Sequence, residues 1–263
     1  MAASGFGGGE AFPLSSAAGA GALKLHKGDI TLWSVDGATD AIVSAPAPSH
    51  HPIPPYLLHA RLVAYVDMLG LGVSKKSESS SPMTASLFSM EWNFSSEPQI
   101  TRKAVVNAAN ERMLGGGGVD GAIHQAAGPQ LVEACRKVPE VKPGVRCPTG
   151  EARITPAFEL PVSRVIHTVG PIYDMDRKPE VSLKNAYENS LKLAKENGIQ
   201  YIAFPAISCG IFRYPPKEAS NIAISAAQQF SGDIKEVHFV LFSDDLYSIW
   251  RETAQEMLMQ FEK

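Results

Sequence analysis

Val105-Val-Asn-Ala-Ala-Asn110, followed four residues later by Gly115-Gly-Gly-Gly-Val-Asp-Gly-Ala-Ile-His124, decides the fold. Lys103–Asn107 reads as a strand, Gly115–Gly118 as a tight loop, and about 119–127 as a helix. A strand that feeds a glycine-rich loop and then a helix start presents backbone amides, free of Cβ atoms, to an anion. The partial positive charge of the helix end adds to this, so phosphate is the natural guest. Asp120 falls in the first helical turn, where its carboxylate is expected to stay ionised, and His124 lies four residues on, on the same face. Gly116, Gly118 and Gly121 also satisfy the GxGxxG spacing of dinucleotide-binding folds. Glu140, the only acid near the ribose-binding distance, follows a helix end instead of a strand, and Asp120 would repel the pyrophosphate. A P-loop is excluded because no Gly-Lys-Ser/Thr follows the glycines.

Ala206-Ile-Ser-Cys-Gly-Ile-Phe-Arg-Tyr-Pro215 is a second glycine-bearing loop between a buried strand (Ile199–Phe204) and a helix (216–230). Ligands of open α/β sheets bind at the carboxyl ends of the strands, so two such loops there could clamp a diphosphate. The rest of the chain supports this layout. A helix begins at Pro129 and runs to Val138, and strands are expected at 151–155 and 163–169. A helix over 181–197 carries Leu183, Tyr187, Leu191 and Ala194 on one face and stops at Gly198. Val237–Phe242 is an apolar strand, and a final helix starts near Asp245. The alternation predicts a largely parallel sheet with helices on both faces.

Composition narrows the function classes. The 263 residues are 44% hydrophobic, enough for a core, and the net charge of −3 argues against coating nucleic acid or an anionic membrane. The most apolar stretch, Tyr56–Val73, contains His59, Arg61 and Asp67 and is a poor membrane span. The three cysteines, Cys135, Cys147 and Cys209, form no CxxC pair, which suits a reducing compartment and supplies no zinc framework. His50-His51 lacks acidic or thiol neighbours and reads as solvated loop, so no metal site is assigned.

Residues 1–22 contain six Gly, seven Ala and three Ser and read as a flexible leader. Without Lys or Arg before Lys24 and without an apolar run, the leader is no secretory signal. Its Ser and Ala content leaves a plastid address open, although the lack of Arg counts against one; a cytoplasmic or nuclear location is the expectation. Asp40–Val43 reads as a short strand. Ser44–Ser96 is unlike its surroundings: it holds six prolines and a serine run, with one helical pattern at Tyr56–Leu71.

Together, Gly28-Asp-Ile-Thr31, Asn107-Ala-Ala-Asn110, Gly115–His124, Val165-Ile-His-Thr-Val-Gly-Pro171 and Phe204-Pro-Ala-Ile-Ser-Cys-Gly-Ile-Phe212 resemble the macrodomain family, most nearly its MacroD-type branch of ADP-ribosyl hydrolases. The resemblance covers about 23–43 and 103–262. It implies a three-layer α/β/α fold with a mixed, largely parallel sheet, and hydrolysis of ADP-ribose esters, either mono-ADP-ribosyl groups on Asp/Glu or small esters such as O-acetyl-ADP-ribose. The alternative is a module that binds ADP-ribose without turnover. Partners would be ADP-ribose or ADP-ribosylated proteins, with no cofactor, nucleic acid or membrane, and the chain would be a monomer. By the same resemblance Asp29 accepts from the adenine amino group beside the amide of Ile30, and Phe242 packs on the adenine. Gly115, Gly116, Gly117 and Gly118 with Val119 form one phosphate loop. Ser208, Cys209, Gly210, Ile211 and Phe212 form the other, with Phe212 flanking the distal ribose. Asn110 and Asp120 orient that ribose and a water. His124 either touches the ligand or holds the helix, His167 reads as a satisfied core residue, and Cys209 as a spacing residue and not a nucleophile.

Family members join the strand matching Asp40–Val43 directly to Asn-Ala-Ala-Asn; here residues 44–106 intervene. Asp40-Ala-Ile-Val43 and Lys103-Ala-Val-Val106 are near copies. The expectation is one macrodomain over 23–263, interrupted by a Pro/Ser-rich insertion at about 44–102 that looks like extra coding sequence or a retained intron. Lys103–Val106 would take the strand slot and displace Asp40–Ala45 into the loop. The longer connection costs roughly 2–3 kcal/mol in closure entropy.

Overall fold

The computed structural model describes residues 9–16, 19–33 and 102–259. The readings at Asp40–Val43, His50-His51 and Tyr56–Leu71, and the fate of Asp40–Ala45, lie outside these residues. In chain order the elements are β1 (Glu10–Pro13), β2 (Ala22–Lys27), a 3-10 turn (Ile30–Leu32), β3 (Lys103–Ala108), α1 (Gly118–Ala127), α2 (Pro129–Arg136), β4 (Ala152–Pro156), β5 (Arg164–Thr168), α3 (Pro179–Glu196), β6 (Tyr201–Phe204), α4 (Pro216–Gln229), β7 (Glu236–Leu241) and α5 (Asp244–Leu258).

The seven strands form one sheet in the order β1-β2-β7-β6-β3-β5-β4. The five inner strands run parallel, and β1 and β4 close the edges antiparallel. The sheet is therefore mixed and largely parallel, as expected. Lys103–Ala108 occupies the central slot between β6 and β5, with Val105 opposite both Ala203 and Val165. Strand side chains alternate between two cores. Leu23, Leu25, Val106, Phe204 and Phe239 face α3, α4 and α5, including Leu183, Tyr187 and Trp250. Val105, Val165, Ala203 and Val240 face α1 and α2, including Ile123, Leu131 and Cys135, together with Ile30 and Trp33. Helices on both faces make three layers.

Local signals set the helix ends. Gly128, at φ 76°, stops α1, and Pro129 opens α2. Gly198 (φ 66°) ends α3 with paired bonds from its own amide to Lys195 and from Ile199 to Ala194. Ser243 caps α5 by accepting from the Leu246 amide. Among the described residues no helix is long and apolar enough to cross a membrane.

The leader reading fails in one place. Residues 10–13 form β1, paired with β2 from Glu10–Leu25 to Pro13–Ala22. Phe12 and Leu14 are buried in the first core. Two large apolar side chains two residues apart suffice for an edge strand, even in a Gly/Ala-rich stretch, and an edge tolerates Pro13. Phe12→Ala should lower unfolding free energy by about 3 kcal/mol, read from the denaturant midpoint. An unchanged midpoint would return these residues to the leader.

Candidate functional site

The predicted site residues follow the carboxyl ends of neighbouring parallel strands. Asp29 and Ile30 follow β2, and Phe242 follows β7; the two strands end in register at Lys27 and Leu241, and the Gly28 amide donates to the Leu241 carbonyl. The second loop follows β6, and Asn110 with the first loop follows β3. Asp29 is exposed and spends Oδ1 on the amide and hydroxyl of Thr31, fixing the 3-10 turn. Phe242 is 73% exposed at the sheet edge, an open apolar face for a planar ring. Val119 packs against the cluster that contains Ile30 and Trp33, which ties the first loop to the Asp29 side.

Asn110, Asp120 and Gly115 meet at the start of α1. Asn110 Nδ2 donates to the Gly115 carbonyl (3.0 Å) and to Asp120 Oδ2 (3.2 Å), while its Oδ1 accepts from the Arg112 amide. A Cβ on Gly116 would stand 3.0 Å from Asp120 Oδ2 and 3.1 Å from Asn110 Nδ2, so this glycine leaves the pair uncovered. A Cβ on Gly121 would meet the Gly116 carbonyl at 2.5 Å, which makes Gly121 the residue that lets the loop lie on the helix. Gly117 and Gly118 are exposed, with open space where a side chain would be. His124 lies behind the pair, its Nε2 3.5 Å from Asp120 Oδ1 and its ring under Gly115.

Asn107 is the functional residue that the sequence reading missed. It is fully buried, and its Nδ2 donates to Asp120 Oδ1 (2.8 Å) and to His167 Nδ1 (3.1 Å). Because His167 accepts at Nδ1, its Nε2 carries the proton and donates to Thr155 Oγ1 at 2.9 Å. Burial, with His124 nearby, pushes the His167 imidazole down to about 3, so it stays neutral. His167 is thus the satisfied core residue expected of its strand. The signal for Asn107 was a polar residue ending an apolar strand, three before Asn110.

Burial raises the Asp120 carboxyl above the usual range, against the hydrogen bond from Asn107 and the charge of His124, which lower it. The helix start alone suggests a fully ionised carboxylate; the depth of the group, 3% exposed, works the other way.

The second loop is held by its neighbours. The Ile207 amide donates to the Tyr187 hydroxyl, and Ser208 and Arg213 adopt φ of 63° and 55°. Gly210 and Ile211 are exposed, and Phe212 accepts from the Tyr173 amide. Burial pushes the Cys209 thiol up to about 12, which removes it as a thiolate nucleophile and fits a spacing role. Gly170, after β5, is a further determinant: a Cβ there would stand 2.2 Å from Ser208 Oγ. No metal-ligand set is legible in the sequence, yet the fold gathers His124, Cys135 and His167, with donor atoms within 4.8 Å of one another. A separate cavity of about 840 Å³ between α2 and β4 contains none of the predicted site residues.

Gly170→Ala should shift the second loop and weaken binding of a diphosphate ligand by more than about tenfold, or ~1.4 kcal/mol, measured by calorimetry; equal affinity would remove Gly170 as a determinant. Because the folded-state pKa of Asp120 is raised, its protonated form is the one the fold favours. Relative to Asp120→Asn, the parent protein should therefore lose stability as pH rises through that pKa. Urea midpoints of both proteins from acid to neutral pH check this, and a constant difference would contradict it.

Comparisons with known proteins agree with this geometry. A family model described as "Macro domain" matches residues 106–223. A macro domain-containing protein of Vibrio parahaemolyticus is 53% identical over 153 residues, covering 58% of this chain and 89% of its own length. A Klebsiella pneumoniae protein named O-acetyl-ADP-ribose deacetylase is 48% identical over 151 residues, covering 56% of this chain and 85% of its own. Among solved structures, the Oceanobacillus iheyensis macrodomain with ADP superposes with a TM-score of 0.57 at 44% identity, over 62% of this chain and 90% of that one. With nearly nine-tenths of a relative covered at this identity, the chain belongs to the macrodomain family.

Proposed function

We propose that the chain binds ADP-ribose along the carboxyl edge of its sheet and hydrolyses ADP-ribose esters, either mono-ADP-ribosyl groups on Asp/Glu side chains or small esters such as O-acetyl-ADP-ribose. The observation that carries this reading is Asp120, a buried carboxylate held by two asparagine amides directly beneath a glycine loop. The relative named O-acetyl-ADP-ribose deacetylase and the ADP-containing neighbour support the ligand class.

The two loops would cradle the diphosphate through backbone amides, Asp29 and Phe242 would take the adenine, and Phe212 would flank the distal ribose. Asn110, oriented by Arg112 and Gly115, retains a lone pair on Oδ1 for a ribose hydroxyl. Asp120 would align a water and accept its proton as that water attacks, with the carboxylate leaving from the ribose. For an ester at the anomeric carbon, the negative charge of Asp120 stabilises the positive charge that develops there; for an acetyl ester on another ribose hydroxyl, the same water attacks the acyl carbon and the ribose hydroxyl leaves. The raised pKa of Asp120 makes it a stronger base than a surface carboxylate, so the rate should climb with pH through that pKa. His124, which reaches Asp120 from behind, tunes the carboxylate through its charge.

The test is release of ADP-ribose from an acceptor mono-ADP-ribosylated on glutamate. Asp120→Ala should lower release by roughly 10²–10⁴-fold and keep most of the ADP-ribose affinity in calorimetry. Binding by the parent protein without release would leave only a reader module.

A further inference from the structure

We propose that His124, Cys135 and His167 form a binding site for a zinc-like divalent cation, and that its occupation switches the hydrolytic site off. The second half rests on the hydrolase reading above; the first does not.

Three elements converge on this point: His124 from α1, Cys135 from the last turn of α2 and His167 from near the carboxyl end of β5. Cys135 and His167 are fully buried, and Cys135 Sγ lies 3.7 Å from His167 Nε2, close to the edge of a tetrahedral zinc sphere. His124 Nε2 is buried and has no hydrogen-bond partner among the described residues; Asp120 Oδ1, at 3.5 Å, is too far for a good one. Packing alone does not require two imidazoles and a thiol around an unpartnered nitrogen, because a buried polar atom without a partner is costly.

The donor set states the preference. One sulfur and two imidazole nitrogens suit zinc or copper, whereas calcium and magnesium require oxygen. Charge is offset in part: a dication meets one thiolate, and the Asp120 carboxylate lies just beyond His124. On binding, the Cys135 S–H bond breaks, its proton leaves to solvent, and a metal–sulfur bond forms without any change of oxidation state. Metal on His167 Nε2 displaces Thr155 and moves the ring proton to Nδ1, so Asn107 Nδ2 can no longer donate there. An amide turn would then offer Asn107 Oδ1, which is partnerless among the described residues, to that proton. Asp120 would then lose its Asn107 bond, and with it the position from which it aligns water.

The test uses the full-length chain stripped of metal with a chelator and titrated with Co²⁺, then Zn²⁺. One equivalent of Co²⁺ should give a near-ultraviolet thiolate-to-cobalt band that Zn²⁺ bleaches. Cys135→Ala should abolish the band, and His124→Gln should weaken Co²⁺ binding by more than about tenfold, the loss typical of even an outer-shell partner. A missing band in the unmodified protein, or a band that survives Cys135→Ala, overturns the site without reference to any variant's activity. Equal ADP-ribose release by zinc-loaded and zinc-stripped protein overturns the inhibitory role. Release in neither state counts against the hydrolase reading, while the cobalt spectrum alone judges the site.

Discussion

A carboxylate below the surface of a protein needs hydrogen bonds from groups that cannot move away, and here the hydrogen bond from Asn107 to Asp120 supplies the first of them. Bonds of this charge-assisted type contribute about 1.5–3 kcal/mol, and the backbone of Asn107 is held in place by the central strand. The same side chain anchors His167 on β5, which in turn reaches Thr155 on the edge strand β4. Two strands and one helix start are therefore registered to one another through a single amide. The first glycine loop is shaped around this fixed point, with Gly121 under it and Gly116 over it.

The central position of β3 bears on the insertion expected at about 44–102, immediately before it. The strand is paired on both sides, with β6 and with β5, and its residues from Lys103 to Asn107 are buried. Register is fixed most firmly where both faces and both edges are engaged. The hydrogen bonds of the Asn110–Asp120 pair come from residues 107–120, whereas Asp29 lies on the other side of the residues outside the described structure. On the sheet, Asp29 is positioned by β7 instead, through the Gly28–Leu241 bond.

Much of this was legible from local patterns. The helices announced themselves through 3.6-residue periodicity and through Pro129, Gly128 and Gly198 at their ends. The two loops followed from glycines after apolar strands, and Asp120 and His124 from their spacing on one helical face. What escaped reading was non-local or diluted. Thr155 meets His167 because Arg153 pairs with His167 in the β4–β5 ladder, leaving Thr155 diagonal to the ring, a register no local pattern encodes. Cys135 reaches the same histidine only because α2 packs back on the sheet. β1 was lost because Phe12 and Leu14 are outnumbered by small residues that set the average of their window.

The pairing of β2 with β7 has a consequence for how the chain is made. Lys27 finds its partner Leu241 only after roughly two hundred further residues have been synthesised. At roughly 5–20 residues per second, the β1–β2 hairpin waits on the order of 10–40 s with one long edge and the apolar face of Leu23 and Leu25 uncovered. β2 thus emerges long before the strand that seals its edge. During that interval the unpaired edge is the part of the nascent chain most open to non-native strand pairing.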